Sequence, residues 1–417
     1  MANDVTERLD QSLARRLMIA AQGLGEGGAS AEEVVGRTGF VRTLGGVDVY
    51  LAIRARRPET TPGEVESVAT AGGLRIVPAA RGCIYLVARD QVGMALQLAA
   101  SLSQRRNERE QAKAGILEGE LDRVGDAILA ELGEHGPQST HGLRRRLGET
   151  VVRSLGEAGK KVGLSSTLPP ALRQLEFDGR IERRVEGHRL DRERYEWFLA
   201  SDSTSQERLD EPELHGRLAR LFLRAAGLAT RPAFAAWSGL GQRAATKALV
   251  ATGAVQVEIE GGGEVSGEAY WALPSWLASA REALESSPPV AFLPFEDNLV
   301  AFQQGPAFWV GSKYHAIEVP VWGRGRGSTL GDARHSSLRT LVAEGRIVGF
   351  WEFDPDTSSV VYEIFDPVTA ATREQLEAEA AVTGAFLAEG LGHGRSFSLD
   401  TDDAMRRRVA HIRALAG

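Results

Sequence analysis

Residues 167–190 read TLPPALRQLEFDGRIERRVEGHRL. Ser166 or Thr167 starts a helix predicted to run from Leu168 to Phe177. Pro169 and Pro170 fall in its first turn, where a missing N–H breaks no helical hydrogen bond. Asp178-Gly179 turns the chain into a strand, Arg180 to Val185. Glu186-Gly187 turns it back through His188 to Leu190, a predicted hairpin. Upstream, Leu121, Val124, Ile128 and Leu132 recur at helical spacing, and Gly136-Pro137 ends that helix. Thr140 starts a short helix carrying Arg144, Arg145 and Arg146. Three helices followed by a hairpin is the layout of a winged-helix module.

The same order precedes and follows this stretch. Before it, Leu9, Leu13, Leu17, Ala20 and Leu24 make one apolar helix face starting near Thr6. Ser30 and Glu33 form a Ser-x-x-Glu capping box for a second helix. A third covers about Gly46 to Arg57 and ends before Pro58. Thr61, Pro62 and Glu64 look like another helix start. Two strands follow, Leu74 to Pro78 and Cys83 to Val87. After it, Leu214, Leu218, Leu221, Phe222 and Ala225 give a helix, and Thr230, Pro232, Phe234 and Trp237 a second. Gln242 to Val250 is a third helix, and Ala254 to Glu260 and Val265 to Leu273 are strands. The repeat is about 100 residues, too long for a solenoid. The predicted class is α+β, with three tandem winged-helix units over residues 1–110, 111–205 and 206–285. Residues 286–417 form a strand-rich C-terminal region with terminal helices.

Composition sets outer limits. The 417 residues are 43% hydrophobic and 25% charged, ordinary for a soluble globular protein of two to three domains. No apolar run reaches the roughly 18–20 residues of a membrane span, and no signal peptide opens the chain, so a cytoplasmic protein is expected. The one cysteine, Cys83, rules out an intrachain disulfide and reads as core. The histidines show no metal-ligand spacing, and no phosphate loop or nucleophile elbow occurs. The expectation is therefore no metal and no cofactor. The net charge of -7 does not advertise DNA, so DNA contact must come from local basic patches.

Such patches exist. In winged-helix modules the third helix can enter the major groove. Arg173 and Gln174, then Gln242, Arg243 and Lys247, occupy that position, and both arginine and glutamine bond base edges bidentately. Arg183, Arg184, His188 and Arg189 on the second wing are placed for phosphates, as are Arg144, Arg145 and Arg146. Arg324 and Arg326 sit in a Gly-Arg-Gly-Arg-Gly loop. Charge runs are more often simply solvated faces, but the set as a whole favours duplex DNA as partner, bound by a monomer.

Six segments follow one another in order: Ala20-Ala21-Gln22-Gly23-Leu24, Leu51-Ala52-Ile53-Arg54-Ala55-Arg56, Arg81-Gly82-Cys83-Ile84-Tyr85-Leu86-Val87, Phe234 to Leu240, Leu293 to Leu299 and Gly345 to Trp351. Together they resemble the AlkZ-like (YcaQ-like) DNA glycosylases. In the third, Cys83 and Tyr85 replace the family's threonine and histidine. The resemblance implies a C-shaped array of three winged helices around duplex DNA. It also implies excision of N7-alkylated purines, unhooking of interstrand crosslinks, and no metal or cofactor.

The resemblance further implies a catalytic Gln-x-Gln or Gln-x-Asp at the start of the third helix, whose side chains hold the attacking water. Here the sequence departs. Counting back from Tyr50-Leu51-Ala52-Ile53 puts the motif positions on Arg42 and Leu44. Asp48 is the nearest carboxylate and becomes the candidate water-holding group. As a plain structural residue it would cap or decorate the third helix. Glu296, Asp297 and His335 are further polar candidates. The departure leaves two functions open, a glycosylase with an altered water site and a non-catalytic winged-helix DNA-binding or regulatory protein. The acidic charge keeps a third, a structural protein that binds no DNA.

Overall fold

Asp10 divides a strand from a helix: its carboxylate accepts from the Leu13 N–H at 2.8 Å and so caps the helix N-terminus. The computed structural model describes residues 7–200, 208–260, 269–282, 288–321, 327–334 and 336–415. Its first stretch holds β1 (Glu7–Asp10), α1 (Gln11–Gln22), α2 (Ala31–Thr38), β2 (Val41–Arg42), α3 (Asp48–Arg54), α4 (Pro62–Thr70), β3 (Leu74–Pro78), β4 (Ile84–Ala88) and α5 (Val92–Lys113). The Ser30–Glu33 capping box forms in both directions. The second stretch holds α6 (Glu120–His135), β5 (Gln138–Ser139), α7 (Thr140–Val151), α8 (Gly156–Lys160), α9 (Leu168–Phe177), β6 (Ile181–Val185) and β7 (Tyr195–Leu199). The third holds α10 (Glu211–Ala226), β8 (Ala229–Thr230), α11 (Arg231–Ser238), α12 (Gln242–Ala251), β9 (Val255–Glu260), β10 (Tyr270–Ala272) and α13 (Pro274–Glu282).

An order recurs in all three: helix, short strand, helices, hairpin. The short strand always pairs with the last strand of the hairpin, giving sheets β2-β4-β3, β5-β7-β6 and, with β1 added outside β9, β1-β9-β10-β8. In the first stretch this order begins at α2, so α1 lies outside it. The helix expected to begin near Thr6 begins at Gln11. The residues before it are β1, which pairs in parallel with β9, Glu7 opposite Val257 through Asp10 opposite Glu260. A second difference concerns the middle hairpin. Its return strand is Tyr195–Leu199, not His188–Leu190, because Trp197 carries the apolar side chain that closes this core while Asp191 turns away to Arg189 and His393.

Beyond α13 come β11 (Ala291–Phe292), α14 (Asn298–Ala301), β12 (Glu318–Val319), β13 (Ser328–Thr329), β14 (Arg339–Ala343), β15 (Arg346–Asp354), β16 (Ser359–Ile364), α15 (Ala370–Ala385) and α16 (Asp402–Ala414). β11, β14, β15 and β16 form one antiparallel sheet in that order, with α15 and α16 against it. Residues 286–417 are thus strand-rich as expected, with β12 and β13 forming a separate antiparallel pair. No described helix is long and apolar enough to cross a membrane.

The cores explain which parts are joined. The second stretch closes its own, around Leu121, Ile128, Leu168, Leu172 and Trp197. The first and third share theirs. Phe40 stacks on Trp237 at 5.5 Å, Trp237 meets Phe302 edge-on at 5.6 Å, and Phe222 lies 4.8 Å from Phe302. Each such ring contributes about 1.5–3 kcal/mol by leaving water. Beneath them Arg56 holds Asp297 through two 2.9 Å bonds, both side chains almost fully buried.

Close approach fixes the turn before α3. A Cβ at Gly46 would lie 2.2 Å from the Ser396 carbonyl carbon, and one at Gly45, whose φ is +70°, would lie 2.2 Å from Glu193 Cγ. Gly46→Ala must therefore push the 394–398 backbone away. It is expected to lower stability by about 1–3 kcal/mol, measured by urea unfolding; an unchanged midpoint would show that this approach is slack.

Candidate functional site

The loop that enters α3 is tied down from outside. Val47 N–H donates to the Arg395 carbonyl at 2.9 Å, and Ser398 N–H donates to the Leu44 carbonyl at 2.9 Å. Asp48 is the first residue of α3. One of its carboxylate oxygens accepts from Arg339 Nη2 at 2.9 Å; the other makes no hydrogen bond to the described residues.

Arg339 enters from β14 and is fully buried. The nitrogen that holds Asp48 also donates to the Gly394 carbonyl and to Ser396 Oγ, both at 2.8 Å, while Nη1 donates to Glu352 at 2.8 Å. Its guanidinium lies 4.9 Å from the Trp351 ring. Glu352 is held on its other oxygen by Arg408, which in turn bonds Asp400 at 2.7 and 3.1 Å. Asp48 thus ends a buried chain of alternating charge running from α3 through β14 and β15 to α16. Burial pushes the Asp48 carboxyl up to about 6; the Arg339 guanidinium opposes this and Glu352 adds to it.

Asp48 also faces a cavity of about 20 Å³ lined by Thr38, Arg42, Arg56, Glu296 and Asp297, among others. That is room for about one water. Glu296 sits in the left-handed region at φ +50°, a conformation that costs a non-glycine residue on the order of 1 kcal/mol and persists only where neighbours impose it. Arg42 pairs with its carboxylate. Arg42 is opposite Tyr85 on the neighbouring strand, and Arg81 donates to the Tyr85 hydroxyl at 3.4 Å. Burial raises the Tyr85 phenol.

The sequence candidates therefore separate. Asp48, Arg42 and Glu296 line one cavity. Asp297 lines it too, but both its oxygens are taken by Arg56, and it caps α14. Leu44 is exposed in the otherwise buried turn before α3, and Arg42 is on β2, so the two counted motif positions precede the helix start that Asp48 occupies. His335 lies outside the described residues. Arg339, Glu352, Arg408 and Asp400 were not singled out from sequence. The available signal was charge inside apolar strands: Arg339 opens Thr340-Leu341-Val342-Ala343, and Glu352 interrupts Phe350-Trp351-Phe353.

The basic set divides similarly. Arg183 turns inward, bonding Glu176 at 2.6 and 2.5 Å between the Tyr195 and Trp197 rings. Arg184 pairs with Glu182, and Arg146 with Glu131. Arg189 is off the hairpin and bonds Asp191 at 2.9 and 2.6 Å. Arg144 donates to Ser166 at 2.6 Å, Gln174 to Asp122 at 2.8 Å and Arg173 to Asn107 at 3.2 Å. Arg173 and Gln174 still line a groove of about 1310 Å³ between α5, α9 and α10. Arg145, Gln242, Arg243 and Lys247 stand exposed. Arg324 and Arg326 lie outside the described residues. No group of three or more potential metal ligands occurs among the described residues.

Comparison with known proteins agrees with this architecture. The fold is similar to that of the DNA glycosylase AlkZ of Streptomyces sahachiroi, with a TM-score of 0.67 and 17% identity over 94% of this chain and 99% of that one. No curated protein matches by sequence. The family model described as DNA glycosylase AlkZ-like matches residues 41–386, a span that contains β2, the α3 carboxylate, the 293–299 segment and Arg339. The chain belongs to the AlkZ-like DNA glycosylase family.

Proposed function

We propose that this chain excises N7-alkylated purines from duplex DNA, with Asp48 holding the attacking water. The observation that carries the reading is the Asp48 carboxylate: one oxygen is fixed by Arg339, and the other is left free beside a water-sized cavity. The C1′–N9 bond breaks first, and its electron pair leaves with the base, neutralising the charge that N7 alkylation had placed there. The sugar becomes an oxocarbenium ion. Water bonds to C1′, and Asp48 accepts its proton, leaving an abasic site and a free base. A fixed carboxylate also stabilises the developing cation, a contribution that a preorganised group makes without reorganising at the moment of reaction. With a pKa near 6, Asp48 is about nine-tenths ionised at pH 7.

In this reading the three recurrent units act as winged helices along the duplex, with Gln242, Arg243 and Lys247 on the exposed face of α12 toward the groove. Interstrand crosslinks at N7 are substrates by the same chemistry. A second reading, binding without excision, is favoured by Arg42 and Leu44 standing where the family carries glutamine. Single-turnover excision on a duplex with one N7-methylguanine, and on one with an N7-linked crosslink, separates the two. The expected result is abasic sites well above spontaneous depurination. Salt-sensitive binding with no excision would replace the first reading by the second.

A further inference from the structure

Three backbone segments meet beside the α3 entrance, and what they present to solvent is basic. Residues 43–47, 191–194 and 393–398 enclose a cleft of about 560 Å³ lined by Arg192, Arg194, Arg395 and His393 among others. The packing is tight: the positive φ of Gly45 and its contact with Glu193 seat the second segment on the first. The bonds from Val47 to Arg395 and from Ser398 to Leu44 seat the third. Arg339 reaches Asp48 and this third segment through the same nitrogen. The cleft and the candidate carboxylate are therefore parts of one rigid surround.

The charges of the cleft do not cancel. Asp191 is taken by Arg189 and His393, which hold its carboxyl well below the usual range against the opposing effect of burial. Asp402 pairs with Arg395, while the Glu193 carboxylate, which accepts from Ser398 Oγ at 2.5 Å, offsets part of the charge of Arg192 and Arg194. Arg192 and Arg194 are exposed and make no side-chain bond or ion pair with the described residues. Next to Ser398, Leu399 is 84% exposed, and Leu44 is 36% exposed on the facing turn. Unpaired guanidinium groups beside exposed apolar side chains suit a polymer with alternating phosphates and sugars or bases better than a free anion.

We propose that this cleft is a backbone-phosphate site that holds the DNA strand where it passes the α3 carboxylate, with Arg192 and Arg194 on the phosphates and Leu399 against the neighbouring sugar or base. This inference rests on the proposed glycosylase reading and adds to it the path of the strand. Each phosphate neutralised contributes about 0.9 to the slope of log K against log salt. The double substitution Arg192→Ala/Arg194→Ala should therefore weaken binding to an undamaged 21-bp duplex about tenfold at 0.1 M salt and reduce the slope by about 1–2. The unfolding midpoint should be unchanged, since both side chains are exposed. A double variant with wild-type affinity and slope, made in a wild type that binds and excises, overturns this site alone. A wild type that binds no duplex overturns both readings. If millimolar inorganic phosphate at constant ionic strength abolishes the difference between wild type and variant, the cleft is a free-anion site and the strand path is wrong.

Discussion

Asp48→Asn is expected to slow single-turnover excision by about 10²–10⁴-fold, the usual contribution of a positioned proton acceptor, and to leave duplex affinity unchanged. The amide keeps the shape and an oxygen for Arg339 but accepts no proton from water. The wild-type rate should follow the ionised fraction of the carboxyl, falling about tenfold per pH unit below about 6 and levelling above it. The same shift has a stability consequence of opposite sense. A carboxyl with its pKa raised in the folded state takes up its proton more readily folded than unfolded. Its ionisation therefore opposes folding: the contribution is most favourable below the ordinary value of 3.8 and is lost as pH rises through about 6. The asparagine variant should lack this slope in urea unfolding between pH 4 and 6. An unchanged excision rate in the variant would remove Asp48 from the chemistry.

Arg339→Met is expected to cost about 3–5 kcal/mol, because it leaves buried Glu352 with Arg408 as its one remaining cation and removes the cation beside Asp48. Urea unfolding measures it; a loss below about 1 kcal/mol, the range of exposed ion pairs, would show that Arg408 alone compensates Glu352. Excision should report the same event differently. Without the guanidinium that lowers it, the Asp48 carboxyl titrates higher, so any surviving activity should level off above pH 6 rather than at it. Arg339→Lys keeps a charge but cannot reach Glu352, Asp48 and the 394–396 segment together, since it lacks the planar fork. It should recover stability more than pH profile. A variant that loses rate with no change in pH profile would make Arg339 purely structural.

Helices and hairpins were legible in the sequence where their signals are local. Ser30 and Glu33 lie three residues apart, and the Leu121–Leu132 spacing falls within one helix. β1 was not legible, because its four residues are too few to show a period and their partner is at 257–260. The middle hairpin failed at its return strand. Glu186-Gly187 does turn the chain, yet pairing resumes only where Tyr195 and Trp197 supply rings to pack. Asp48 was reachable as a carboxylate near a helix start, but the bond that positions it joins residues 291 apart. Basic residues carried least information of all. Arg183 and Arg145 are alike in sequence; one lies between two rings on Glu176 and the other stands in solvent, and the difference is made by residues on other elements.

The parallel pairing of Glu7–Asp10 with Val257–Glu260 has a consequence for biosynthesis. About 250 residues must be translated between the two strands, which takes roughly 12–50 s at about 5–20 residues per second. During that interval β1 has no partner, and its edge is open to other chains. The middle stretch, with its separate core, is free to fold meanwhile. The shared core of the first and third stretches is not. Pulse-labelled nascent chains should therefore gain protease resistance in the middle of the polypeptide before either flank, and the flanks should gain it together.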